Sequence, residues 1–176
     1  MIIQSGNQEQ ATYAMLDCAA TSSAVLSDIL DSINGIILER SCKLSTFDKC
    51  ENSMRNFADF KIQPLDRSFT LDVGNALVGD ILTTERDKAP RNLDIKDLSY
   101  MKDVSFDELD DPTIGVILDA CFAWTWTGLG QRFGSREQPI ALRTKFGWTL
   151  VGPALDKSDS CLEAGICLLD AQEVTL

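Results

Sequence analysis

Histidine is absent from all 176 residues. With it go the Ser-His-Asp triad, the Cys-His dyad and histidine-based general acid catalysis. A hydrolase built on this chain must work with carboxylates, lysine or cysteine without imidazole. Long apolar runs are also missing. No stretch reaches the ~18 residues that a membrane span needs. Met1 leads into a short apolar pair and then polar residues, so no signal peptide is expected. Basic residues are few: 16 Lys and Arg stand against 27 Asp and Glu, a net charge of −11. The bases are scattered, which argues against nucleic-acid binding, because neutralising phosphates needs clustered Lys and Arg. No CxxC pair occurs, and "GLGQRFGSREQ" lacks both G-x-G-x-x-G and a Lys-Ser/Thr pair, so it is no phosphate loop. The six cysteines, at 18, 42, 50, 121, 161 and 167, are expected to be reduced in an intracellular, cytoplasmic setting. A zinc site would have only Cys42/Cys50 and Cys161/Cys167 as loose candidates.

What is present is a globular composition. The apolar fraction is 44%, enough for one domain with a real core at this length. "IIQSGNQEQATYAMLD" predicts a β-hairpin, with a first strand at Ile2 and Ile3 and a second from Ala11 to Leu16. "TSSAVLSDILDSI" places Ala24, Val25, Ile29 and Ile33 near helical spacing, with Thr21, Ser22 or Ser23 as N-cap and Asn34-Gly35 as C-cap. In "IILERSCKLSTF" a strand runs into a loop, and "DKCENSMRN" predicts a turn. Alternation at Phe57, Phe60 and Ile62, and again at Phe69, Leu71 and Val73, predicts strands that Gly74 and Gly79 bend or end. Residues 83–113 form the most charged stretch and predict an irregular surface segment, with a short helix or strand near Ile95 to Val104. Its acidic "SFDELDDP" is expected to be a solvated loop rather than a metal site. "TIGVILDACFAWTW" is the strongest apolar run and predicts a buried strand followed by a short helix. "PIALRTKFGWTLVGP" predicts strands broken at Phe146-Gly147, and Trp124, Trp126 and Trp148 are expected to be core or interface aromatics. The class expected is mainly β, a closed barrel with one or two short helices.

One acid stands out. In "YAMLDCAATSSAV", Asp17 ends an apolar run and is followed at once by small residues and hydroxyls. Asp17 is either a cap or turn aspartate, or a catalytic one held on a tight turn. Cys18 as a nucleophile is a rival, but no imidazole is there to activate it.

Two segments together carry a resemblance. "AMLDCAATSSAVL" is similar to the segment around the catalytic aspartate of retroviral-type aspartic peptidases, where an apolar strand leads to Asp-Thr/Ser-Gly. "REQPIALRTKFGWTLVGP" resembles the C-terminal block of the aspartic peptidase domain in BEL/Pao-type retrotransposon polyproteins, through Pro139, Ala141, Thr144, Gly147, Trp148, Leu150, Gly152 and Pro153. The resemblance implies a retropepsin-like domain over 1–154, with 155–176 as a linker toward a downstream domain. It implies Asp17 as the catalytic residue, on a turn made with Leu16, Cys18, Ala19, Ala20 and Ser23. It also implies a supporting strand at Ile117, Leu118 and Asp119. Cys18 stands where the family has Thr or Ser, Ala19 where it has Gly, and Asp119 in place of a supporting glycine. A chain with one such turn must take its second carboxylate from a copy of itself, so a homodimer is implied. The implied substrate is a polypeptide, its own polyprotein, under a flap between residues 40 and 60, with no cofactor, metal, nucleic acid or membrane. A catalytically inactive fold kept as a structural or dimerisation module is the alternative.

Overall fold

The computed structural model describes residues 1–45, 50–80, 82, 89–127, 129–153 and 170–173. Among these the chain is mainly β, with one large barrel-like sheet, a small three-stranded sheet and a few short helices.

The first strands are β1 (Ile2–Ser5), β2 (Gln8–Ala11) and β3 (Tyr13–Leu16). A hairpin is present, but its second strand is Gln8–Ala11; of the expected second strand from Ala11 to Leu16, only Ala11 pairs with β1. β2 pairs antiparallel with β1, with Ile2 opposite Ala11. Met1 and Thr12 then exchange backbone hydrogen bonds of 2.9 and 3.0 Å. Past Thr12 the chain leaves β1, and β3 pairs parallel with β8 (Ile114–Leu118). Neither the alternation nor the Gly6 turn marks this change, because partner choice is a long-range matter.

Ala24–Leu26 forms strand β4, where helical spacing predicts a helix. The reason is pairing on both edges: β4 runs parallel to β7 (Leu71–Gly79) and antiparallel to β8. Ala24 and Val25 are buried between them. Only Ser27–Ser32 is helical, as α1. It closes as expected: Asn34 takes a positive φ of 52°, and the Gly35 N–H donates to Leu30 O at 2.8 Å.

β5 (Ile37–Ser45) and β6 (Cys50–Gln63) make a long antiparallel hairpin. The polar run from Cys50 to Asn56, expected as a turn, is strand. Asn52, Met54, Arg55 and Asn56 are exposed there, so the alternation that marks a half-buried strand is missing. β6 pairs with β5, then with β7, and at its end with β1. The sheet thus runs β1–β6–β7–β4–β8–β3, and β3 returns through β2 to β1, which nearly closes a barrel. Its interior holds Ile3, Val25, Leu30, Ile33, Ile62, Val73, Val116 and Leu118. Gly115 lets α1 approach β8: a Cβ there would lie 2.9 Å from Ile29 Cγ1 and against Thr12 Oγ1.

Residues 89–113 are not the surface segment that their charge predicts. A helical turn α2 (Asn92–Ile95) and a 3₁₀ turn (Ser99–Met101) bury Ile95, Met101, Val104 and Phe106 against Ala141 in a second core. Charged residues face out while one apolar side chain every few positions turns in. The partners come from the small sheet of β9 (Gln131–Arg132), β10 (Ile140–Thr144) and β11 (Gly147–Val151). β10 and β11 form the hairpin expected from the break at Phe146-Gly147, with Gly147 at φ 110°. Trp148, half-buried beside this core, has the guanidinium groups of Arg132 and Arg143 at 5.3 and 5.9 Å from its ring.

Of residues 155–176, Asp170–Glu173 forms β12, which pairs antiparallel with β5. No described helix is long and apolar enough to cross a membrane.

Candidate functional site

β3 and β8 run side by side and in parallel, with Leu16 opposite Leu118. The ladder continues one step past the strand, because the Asp17 N–H donates to Leu118 O at 3.0 Å. The chain then bends. Asp17 Oδ1 accepts the N–H of Ala19 at 2.9 Å and of Ala20 at 3.3 Å, while the Asp17 carbonyl also accepts Ala20 N–H at 3.3 Å. This is an aspartate closing a turn on its own side chain. Asp17 remains partly exposed, and Cys18 and Ala19 are exposed.

Ala20 is buried, and its carbonyl accepts Ala120 N–H at 3.1 Å. At Ser23 the chain enters β4, and its carbonyl takes Leu77 N–H at 2.8 Å. The turn from Asp17 to Ser23 therefore straddles the end of β8. It leaves as β3 along one edge and comes back as β4 along the other. Each side is tied to the end of that strand, at Leu118, Asp119 and Ala120.

Asp119 supplies the most specific of these ties. The Ser23 hydroxyl donates to Asp119 Oδ2 at 2.9 Å, and the Asp119 N–H donates back to Ser23 Oγ at 3.2 Å. Asp119 Oδ1 takes the Cys121 N–H at 2.7 Å and caps the 3₁₀ helix Ala120–Thr125. A carboxylate only 6% exposed is costly unless hydrogen-bonded, and here both oxygens are engaged. Its effect on the neighbouring thiol is direct. The hydrogen bond to Asp119, then its negative charge and then burial, raise the Cys121 thiol above its ordinary value. Removing that charge with Asp119→Asn is expected to lower the thiol pKa. Alkylation of Cys121 at pH 8 then speeds up relative to Cys18 in the same chain, measured by mass spectrometry of the two labelled sites.

Ala19 fits its place. The described non-glycine residues with positive φ are Asn34, Arg67 and Asn75, so the turn does not demand glycine at position 19.

Two hollows flank the turn. A cavity of about 360 Å³ is lined by Ser23, Asp119, Cys121, Cys42, Arg40 and Asn75, among others. A larger groove of about 630 Å³ lies between the barrel and the small sheet, with Leu16 and Cys18 on its wall near Trp126, Phe146 and Trp148. The β5–β6 hairpin, whose range includes the expected flap, contributes Arg40, Ser41 and Cys42 to the smaller cavity; residues 46–49 lie outside the described ones.

Every expected site residue sits at this junction. Leu16, Asp17, Cys18, Ala19, Ala20 and Ser23 form the turn, and Ile117, Leu118 and Asp119 end the strand it straddles. Arg40 and Asn75, which are hydrogen-bonded to each other, were not legible, because nothing in their neighbourhoods marks them. Among the described residues no group of three His, Cys, Asp or Glu could hold a metal ion. Of the loose zinc candidates, Cys42 is a buried free thiol. The Cys50 side chain, Cys161 and Cys167 lie outside the described residues. No family model, curated protein or solved structure matches this chain.

Proposed function

We propose that this chain is an aspartic endopeptidase-like domain of the retropepsin kind, hydrolysing extended polypeptide within a retrotransposon-type polyprotein. The observation that carries this reading is the turn that straddles β8 with the partly exposed Asp17 at its first bend. Such a carboxylate is held by the backbone yet is open to solvent on one side.

Peptide hydrolysis by carboxylates needs two of them. At close range they cannot both ionise, so they share one proton. One takes a proton from water while the other gives one to the scissile carbonyl. Asp119 is not available as the second acid, since Ser23 and Cys121 occupy its oxygens. The second carboxylate is therefore Asp17 of the partner subunit on a two-fold axis. The exposed turn residues Cys18 and Ala19 leave that face open.

A second reading has one observation in its favour. Cys18 places a thiol, a weak donor and acceptor, where a hydroxyl would tie the two turns together. On that reading the barrel persists as a dimerising module without hydrolysis.

Sedimentation combined with incubation against a library of extended peptides, from acidic to neutral pH, separates the cases. Dimerisation with cleavage supports the peptidase, and dimerisation with inertness leaves only the module. A strict monomer at the assay concentration overturns both.

A further inference from the structure

β12 is the outermost strand of the nine-stranded sheet. It lies antiparallel to β5, with Asp170 opposite Ser45, Ala171 opposite Leu44, Gln172 opposite Lys43 and Glu173 opposite Cys42. Without it, β5 would present a row of unpaired N–H and C=O groups there. Charge blunts that edge only in part, through Glu39, Arg40 and Lys43. β5 contains no proline, and toward its start Ile37 and Leu38 are 38% and 44% exposed.

The edge also matters inside. Cys42 is 1% exposed and lines the cavity that holds Asp119, together with Arg40. The strand that pairs with Cys42 thus braces one wall of that cavity from outside.

A short main-chain ladder is exchangeable in kind: its hydrogen bonds are the same for any extended strand, and what favours the resident segment over an outside strand is that it belongs to the same chain.

We propose that the β5 edge from Cys42 to Ser45 is a strand-addition site for an extended polypeptide, with this chain's own Asp170–Glu173 as its resident occupant. Recognition runs through main-chain hydrogen bonds, so the ligand class is an extended strand rather than a fixed side-chain motif. Belonging to the same chain, the resident segment competes at an effective concentration on the order of 10⁻³ M. An outside strand must exceed that to enter, and its entry releases the tail. This inference does not depend on peptidase activity.

Full-length Ala171→Pro tests it, because proline removes a ladder donor from the tail and leaves β5 intact. The probe is a synthetic peptide of residues 168–176, LLDAQEVTL. Hydrogen exchange is expected to quicken at least about tenfold at Cys42–Ser45 in the variant. Probe is expected to bind the variant and restore protection, while wild type at micromolar probe does neither. Unchanged exchange in the variant overturns the docking. Exposed amides that the probe fails to protect overturn the addition site. Amides at Phe57–Ile62 report whether the barrel stays folded. If they too lose protection, wild type titrated to millimolar probe decides. Loss of protection at Asp170–Glu173 with Cys42–Ser45 still protected supports the exchange, and no displacement overturns it.

Discussion

Leu118→Ala is expected to lower stability by about 2–5 kcal/mol, a large share of the roughly 5–15 kcal/mol that holds a domain of this kind together. Leu118 is fully buried in the barrel interior, at the end of a strand whose five residues are all buried. Its side chain shares that interior with Ile3, Val25 and Leu30. Truncation leaves a void that strands paired on both sides of β8 cannot close. The backbone of the same residue receives the Asp17 N–H, so the loss reaches the candidate site through the ladder. Leu118→Met keeps the volume and should cost less than about 1.5 kcal/mol. Urea denaturation midpoints of the three chains check the order. A Leu118→Ala midpoint equal to wild type would mean that the barrel interior is not packed around this strand.

The parts of the fold legible in the sequence are those set by nearby residues. "TIGVIL" reads as a buried strand because every position is apolar, and β8 is buried throughout. Phe146-Gly147 reads as a break because the chain there needs a positive φ, which Gly147 supplies. Asn34-Gly35 reads as a helix end for the same reason. What could not be read depends on partners far along the chain. Ala24 and Val25 have helical spacing relative to Ile29, yet β7 and β8 claim them. Cys50 to Asn56 looks like a loop because Asn52, Met54, Arg55 and Asn56 are all exposed, so no alternation marks the strand they form. The charged segment 89–113 hides four core residues, since its apolar positions follow neither a helical nor a strand period.

The site divides in the same way. Asp17 was visible because an acid at the end of an apolar run is unusual. The role of Asp119 was not. Substituting for a glycine in the resemblance, it looks like a buried liability. In the structure it is the acceptor that joins Ser23 to Cys121 and fixes the return of the turn into β4. Hydrogen-bond partners 96 residues apart leave no local mark in the chain.

On the peptidase reading, Asp17→Asn is expected to lower the rate of peptide hydrolysis by about 10²–10⁴-fold, the usual share of a positioned acid or base. The substitution isolates chemistry from structure. An asparagine side chain keeps a carbonyl oxygen in the place of Oδ1, and that oxygen can still accept the N–H groups of Ala19 and Ala20. The turn and its ties to β8 therefore persist, and the denaturation midpoint should stay near wild type. What is lost is the proton that two carboxylates would share, because an amide neither takes nor gives one near neutral pH. Asp17→Ala is the contrast: it removes the turn's acceptor as well and should lower both rate and stability. Wild-type hydrolysis should also fall off on either side of an optimum, because one carboxylate of the pair must be protonated while the other is ionised. Equal rates for Asp17→Asn and wild type would remove Asp17 from the chemistry. Since Asp119 is engaged by Ser23 and Cys121, such a result would also remove the paired-carboxylate mechanism from this turn.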